Sequence, residues 1–85
     1  GEPYRAELLL GIIASTRGAF DEALARFNRA RALNPYQAGA YVLLAATHEV
    51  MGDPDDARRA AAAGLAIAPG DGKLLEIDRR LRETP

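Results

Sequence analysis

Apolar residues recur along this chain at three- and four-residue steps, and glycine or proline breaks the pattern at regular places. Phe20, Ala23, Leu24, Phe27 and Ala30 share the spacing of one helix face. Tyr41, Leu44, Ala45 and His48 form a second such face. Leu74, Ile77 and Leu81 form a third, backed by Lys73, Glu76, Arg79, Arg80 and Glu83. The pattern predicts five helices: Pro3 to about Arg17, Phe20 to Asn34, Gln37–Met51, Pro54 to about Ala68, and Gly72–Arg82. Pro3 and Pro54 suit a first helical turn, where the missing N–H has no partner to lose. Gly18 and Gly52 suit the left-handed residue that closes a helix. Pro35 and Pro69 are stops, because the residue before proline is pushed out of helix. Asp21 and Glu22 favour the positive end of the second helix. Asp53 and Asp71 are expected to cap the fourth and fifth.

The punctuation repeats. Residues 4–35 set against 38–69, a shift of 34, give eight identical pairs, among them Gly18 with Gly52 and Pro35 with Pro69. The chain therefore reads as a single domain, 1–85, made of one repeat at 4–35, a second at 38–69 and a closing helix at 71–83. A two-helix unit cannot bury its apolar face alone, so such units stack.

These motifs resemble the tetratricopeptide repeat family. Leu10-Gly11, Gly18, Ala23, Phe27, Ala30 and Pro35 carry the likeness in the first repeat. Tyr41, Leu44, Ala45, Gly52, Ala57, Gly64 and Pro69 carry it in the second. The resemblance implies an all-α fold: a right-handed superhelix of antiparallel helix pairs with a capping helix. Glu7, Ala14, His48 and Ala61 depart from it, standing where large aromatic residues are usual.

Composition narrows the chemistry. The 85 residues carry 11 basic and 12 acidic side chains, a net charge of −1. That balance argues against a nucleic-acid partner and against a polybasic membrane anchor. The leucine run Leu8–Leu10 is cut at Gly11, so membrane insertion is not expected. The absence of cysteine excludes disulfides, thiolate metal sites and cysteine nucleophiles, and is compatible with a cytoplasmic chain. His48, the single histidine, is expected to pack. Asp53, Asp55 and Asp56 lack the glycine and distal glutamate of a calcium loop and are expected to cap and to compensate a helix dipole. Gly70 to Lys73 lacks phosphate-loop spacing, and Ser15 and Thr16 have no evident base. Arg26, Arg29, Arg31, Arg58 and Arg59 are expected on a solvated outer face. No catalytic residue, cofactor or metal is expected.

The resemblance implies a groove lined by the first helix of each repeat, holding a peptide or an amphipathic helix of a protein partner. Its walls would be Arg5, Leu8, Ile12 and Ser15 from the first repeat, Gly39, Val42, Ala46 and Glu49 from the second, and Lys73 and Glu76 from the cap. Family members that grip acidic C-terminal tails use polar side chains; Leu8, Ile12, Leu43 and Ile77 stand at those places here, and only Lys73 keeps the type. The first helix is apolar nearly all round, so Leu9 and Ile13 are expected to meet a partner, a preceding segment, or a second copy of the chain in a homodimer.

Overall fold

A computed structural model describes residues 2–83; residues 1, 84 and 85 of the expected domain lie outside the described residues. The described residues form α1 (Glu2–Thr16), α2 (Phe20–Leu33), α3 (Ala38–Val50), α4 (Pro54–Ile67) and α5 (Gly72–Glu83), with no strand among them. Each expected helix is present, its ends shifted by a residue or so. Arg17, Asn34, Gln37, Met51 and Ala68 fall just outside, in the turns.

The repeat reappears in the backbone. Gly18 and Gly52 both take positive φ, 76° and 79°. The Gly18 amide donates to Ser15 O at 3.0 Å and the Ala19 amide to Ala14 O at 2.9 Å. Thirty-four residues on, Gly52 donates to Glu49 O at 3.0 Å and Asp53 to His48 O at 2.9 Å. This paired closure satisfies carbonyls that the last helical turn leaves open, and its left-handed residue favours glycine. The second helices end alike, with Asn34 bonding Ala30 O and Ala68 bonding Gly64 O, each just before a proline.

The two acidic caps differ. Asp71 Oδ1 accepts the Leu74 amide at 3.0 Å, as expected. Asp53 occupies the N-cap position of α4 but makes no side-chain capping bond. Pro54 at the first helical position supplies that start signal instead. Nor does Gln37 cap α3. There the Tyr4 hydroxyl, reaching across from α1, accepts the buried Ala40 amide at 3.1 Å.

The helices lie in two layers. Each helix packs on the next in the chain, and α3 also touches α1 and α5, so α1, α3 and α5 share one layer with α2 and α4 behind it. Ala14, Ala23, Phe27, Leu44, Ala45, Ala57, Ala60, Ala61, Ile77 and Leu81 form the main core, and Tyr4, Ala30 and Ala40 a second one. Small residues let the backbones approach. A Cβ on Gly11 would sit 2.4 Å from the Phe27 ring, and one on Gly64 would sit 2.7 Å from both Leu74 and Tyr41. Ala14 and Ala61, two of the departures from the family pattern, are buried members of the main core. Glu7, the third, pairs with Arg26 of α2 at 3.1 Å.

Candidate functional site

The layer of α1, α3 and α5 carries two apolar cavities, both open to solvent. The first, about 400 Å³, lies between the C-terminal halves of α1 and α3 and is lined by Ile12, Ser15, Thr16, Phe20, Phe27, Leu43, Ala46, Thr47 and Val50. The second, about 560 Å³, continues towards α5 and is lined by Ile12, Gly39, Val42, Leu43, Asp71, Gly72 and Lys73. Ile12 and Leu43 belong to both, so the cavities are two ends of one trough. Both volumes fall within the ~300–1,000 Å³ usual for ligand sites.

Of the ten expected wall residues, the trough brings together Ile12, Ser15, Gly39, Val42, Ala46 and Lys73. Leu8 is half-buried and packs against both core clusters. Arg5 and Glu76 are exposed and line neither cavity. Glu49 is turned to Arg80 of α5, which donates through Nε at 3.1 Å and Nη2 at 2.7 Å. Ile77, assigned to the groove by analogy, is instead a core residue. Leu43, assigned to the groove by the same analogy, lines both cavities, whereas Thr16, Phe20, Phe27, Thr47 and Val50 were missed as lining residues. Val50 had one legible signal, a large apolar residue at the very end of a helix.

The trough has little free polar chemistry. The Thr16 hydroxyl donates to Ile13 O at 2.7 Å and that of Thr47 to Leu43 O at 2.6 Å, so both are spent within their own helices. Ser15 is the remaining hydroxyl, and Asp71 and Lys73 are the ionisable groups, confined to the α5 end. Outside the trough, the hydrogen bond and then the charge of Glu49 hold Arg80 above its ordinary value. A raised cation loses its stabilising effect only as pH climbs through that raised value, so this pair is indifferent to pH near neutrality.

Arg26, Arg31, Arg58 and Arg59 of the second helices are engaged with neighbours. Arg58 pairs with Asp55 at 2.6 Å, Arg59 with Asp56, and Arg31 lies 6.0 Å from the centre of the Tyr41 ring. Leu9 and Ile13 point away from the trough and are 60% and 46% exposed. No described helix is long and apolar enough to cross a membrane.

Stacked helix pairs with a trough along one layer define a helical-repeat protein. A model of the tetratricopeptide repeat matches residues 15–76, well over half of the chain, and the chain belongs to that family. The family generally mediates protein–protein interaction. No curated protein matches the chain.

Proposed function

We propose that the chain is a non-enzymatic interaction module whose trough takes the apolar side of a short amphipathic helix from a protein partner. The observation that carries this reading is the continuous apolar trough built around Ile12 and Leu43. Its chemistry favours a helix over an extended peptide. An extended segment brings unpaired backbone N–H and C=O groups, which cost free energy when buried without partners. The trough walls are helices whose backbone is already bonded, no strand edge lies among the described residues, and two of three wall hydroxyls are occupied. A helix satisfies its own backbone and presents side chains at i, i+3, i+4 and i+7. Asp71 and Lys73 give the trough one polar end. The sparse ionisable lining supports a role without catalysis, and the pairing of Arg58 and Arg59 with acids supports a partner other than nucleic acid.

Ile12→Glu is the direct test, since Ile12 is exposed and belongs to both cavities. It should weaken binding of a helical partner at least tenfold with helicity unchanged; full binding would move the site elsewhere. Leu8→Glu is a poorer test, because Leu8 contributes to the packing.

A second reading, self-assembly through α1, draws on the exposed Leu9 and Ile13. Sedimentation over a concentration series tests it. A dimer that Leu9→Glu or Ile13→Glu converts to monomer would favour this reading, and a wild-type monomer at high concentration would dismiss it.

A further inference from the structure

We propose, on the reading of the trough as a helix-binding site, that it also sets the direction of the bound helix. The partner lies antiparallel to α1, α3 and α5, with its C-terminal end over Gly72 and Lys73.

The three helices of the layer point the same way. At one end the Tyr4 hydroxyl, in the first turn of α1, accepts the amide of Ala40, near the start of α3, at 3.1 Å. The same end gathers Gly39 and Val42 of α3 with Asp71, Gly72 and Lys73, where α5 begins, around one cavity. At the other end Ser15 and Thr16, the last residues of α1, lie across the cavity from Thr47 and Val50 in the last turn of α3. Glu49 and Arg80 join the later turns of α3 and α5 at 2.7 Å. The peptide dipoles of the layer therefore add. Its end at Gly39 and Lys73 is the positive one, and its end at Thr16 and Val50 the negative one. A further helix laid along the trough is favoured with its own dipole opposed.

The side chains act in the same sense. No ionisable group lines the cavity at the end of Thr16 and Val50. The charges of the trough are Asp71 and Lys73, both at the α5 end. Asp71 is turned to its own helix, where Oδ1 accepts the Leu74 amide at 3.0 Å. Lys73 is exposed and has no hydrogen bond or ion pair among the described residues. Glu76, one turn further along α5, lies 3.7 Å from Arg80. An ammonium group carries three donors and no acceptor. The last turn of a helix leaves carbonyls without partners, and lysine is a suitable donor to them. Lys73 thus closes the C-terminal turn of the partner from across the interface.

The probe is an amphipathic helical peptide with leucine at i, i+3, i+4 and i+7. Its ends are acetylated and amidated, so that no terminal charge contributes. A nitroxide is placed on its first or its last residue, and broadening of backbone amide signals is read by NMR on the isotope-labelled chain. The last-residue label should broaden Gly39, Gly72 and Lys73, and the first-residue label Ser15, Thr16 and Val50. Lys73→Glu keeps a residue favourable to the first turn of α5 and should weaken the peptide by about threefold or more at low salt. Circular dichroism should stay unchanged, and Lys73→Arg should bind as wild type does. The reversed broadening pattern, or both labels broadening both ends alike, would overturn the polarity and leave the trough as the binding site. Undiminished binding to Lys73→Glu would overturn it too. A peptide that binds Ile12→Glu as well as wild type, or fails to bind at millimolar concentration, would overturn the trough reading and the polarity with it.

Discussion

Glycines in this chain are required for two separate physical reasons, and substitution by alanine separates them. At Gly11 the obstacle is space, because a new methyl group would overlap the Phe27 ring. Gly11→Ala should destabilise the fold by about 1–3 kcal/mol, read from the urea midpoint, as overpacked cores do. At Gly18 there is open space, and the obstacle is a φ of 76°. Gly18→Ala should cost about 1–2 kcal/mol through the backbone alone. Gly70 has neither constraint, so its alanine variant should lie within about 0.5 kcal/mol of wild type. Gly18 was legible in the sequence as punctuation between two periodic segments. The reason for Gly11 was not, because it depends on a ring delivered by the following helix. The same limit hid the isolation of His48 Nδ1.

Helix starts show how far a local signal can be read. Asp53 and Asp71 look alike as caps, yet only Asp71 bonds an amide of its helix. Asp71→Ala should therefore cost about 1 kcal/mol. Asp53→Ala should leave stability nearly unchanged, so paired denaturation curves check both. The start of α3 was beyond sequence reasoning, since its acceptor is the hydroxyl of Tyr4, thirty-six residues before Ala40. Tyr4→Phe keeps the ring and strands the buried Ala40 amide, at an expected cost of about 1–3 kcal/mol. Faster exchange of the Ala40 amide proton would accompany that loss. The helices themselves, their order and their stops were legible, because periodicity, glycine and proline act within a few residues.

Across the whole molecule, the stacking of α1, α3 and α5 turns separate apolar positions into one trough. Ile12, Val42 and Ala46 were readable as its wall from the family resemblance, Ile12 and Ala46 standing at equivalent places of the two repeats. Leu8 resisted the same logic, since the second core of Tyr4, Ala30 and Ala40 draws it inward. Glu49 is claimed by Arg80, whose partnership across thirty-one residues leaves no local trace. Phe20 and Phe27 reach the trough from the layer behind, which no reading of the first helices alone could reveal. The family match begins at residue 15, so the place of most of α1 in the stack rests on its packing against α2 and α3.

The most direct test of the central claim is selection from a displayed library of amphipathic helical peptides, followed by affinity measurement on single variants. The account predicts enriched peptides with large apolar residues at i, i+3, i+4 and i+7, bound at least tenfold more weakly by Ile12→Glu and undiminished by Leu9→Glu. Peptides that bind Ile12→Glu as well as wild type, and lose affinity for Leu9→Glu, would place recognition on the outer face of α1 and contradict it.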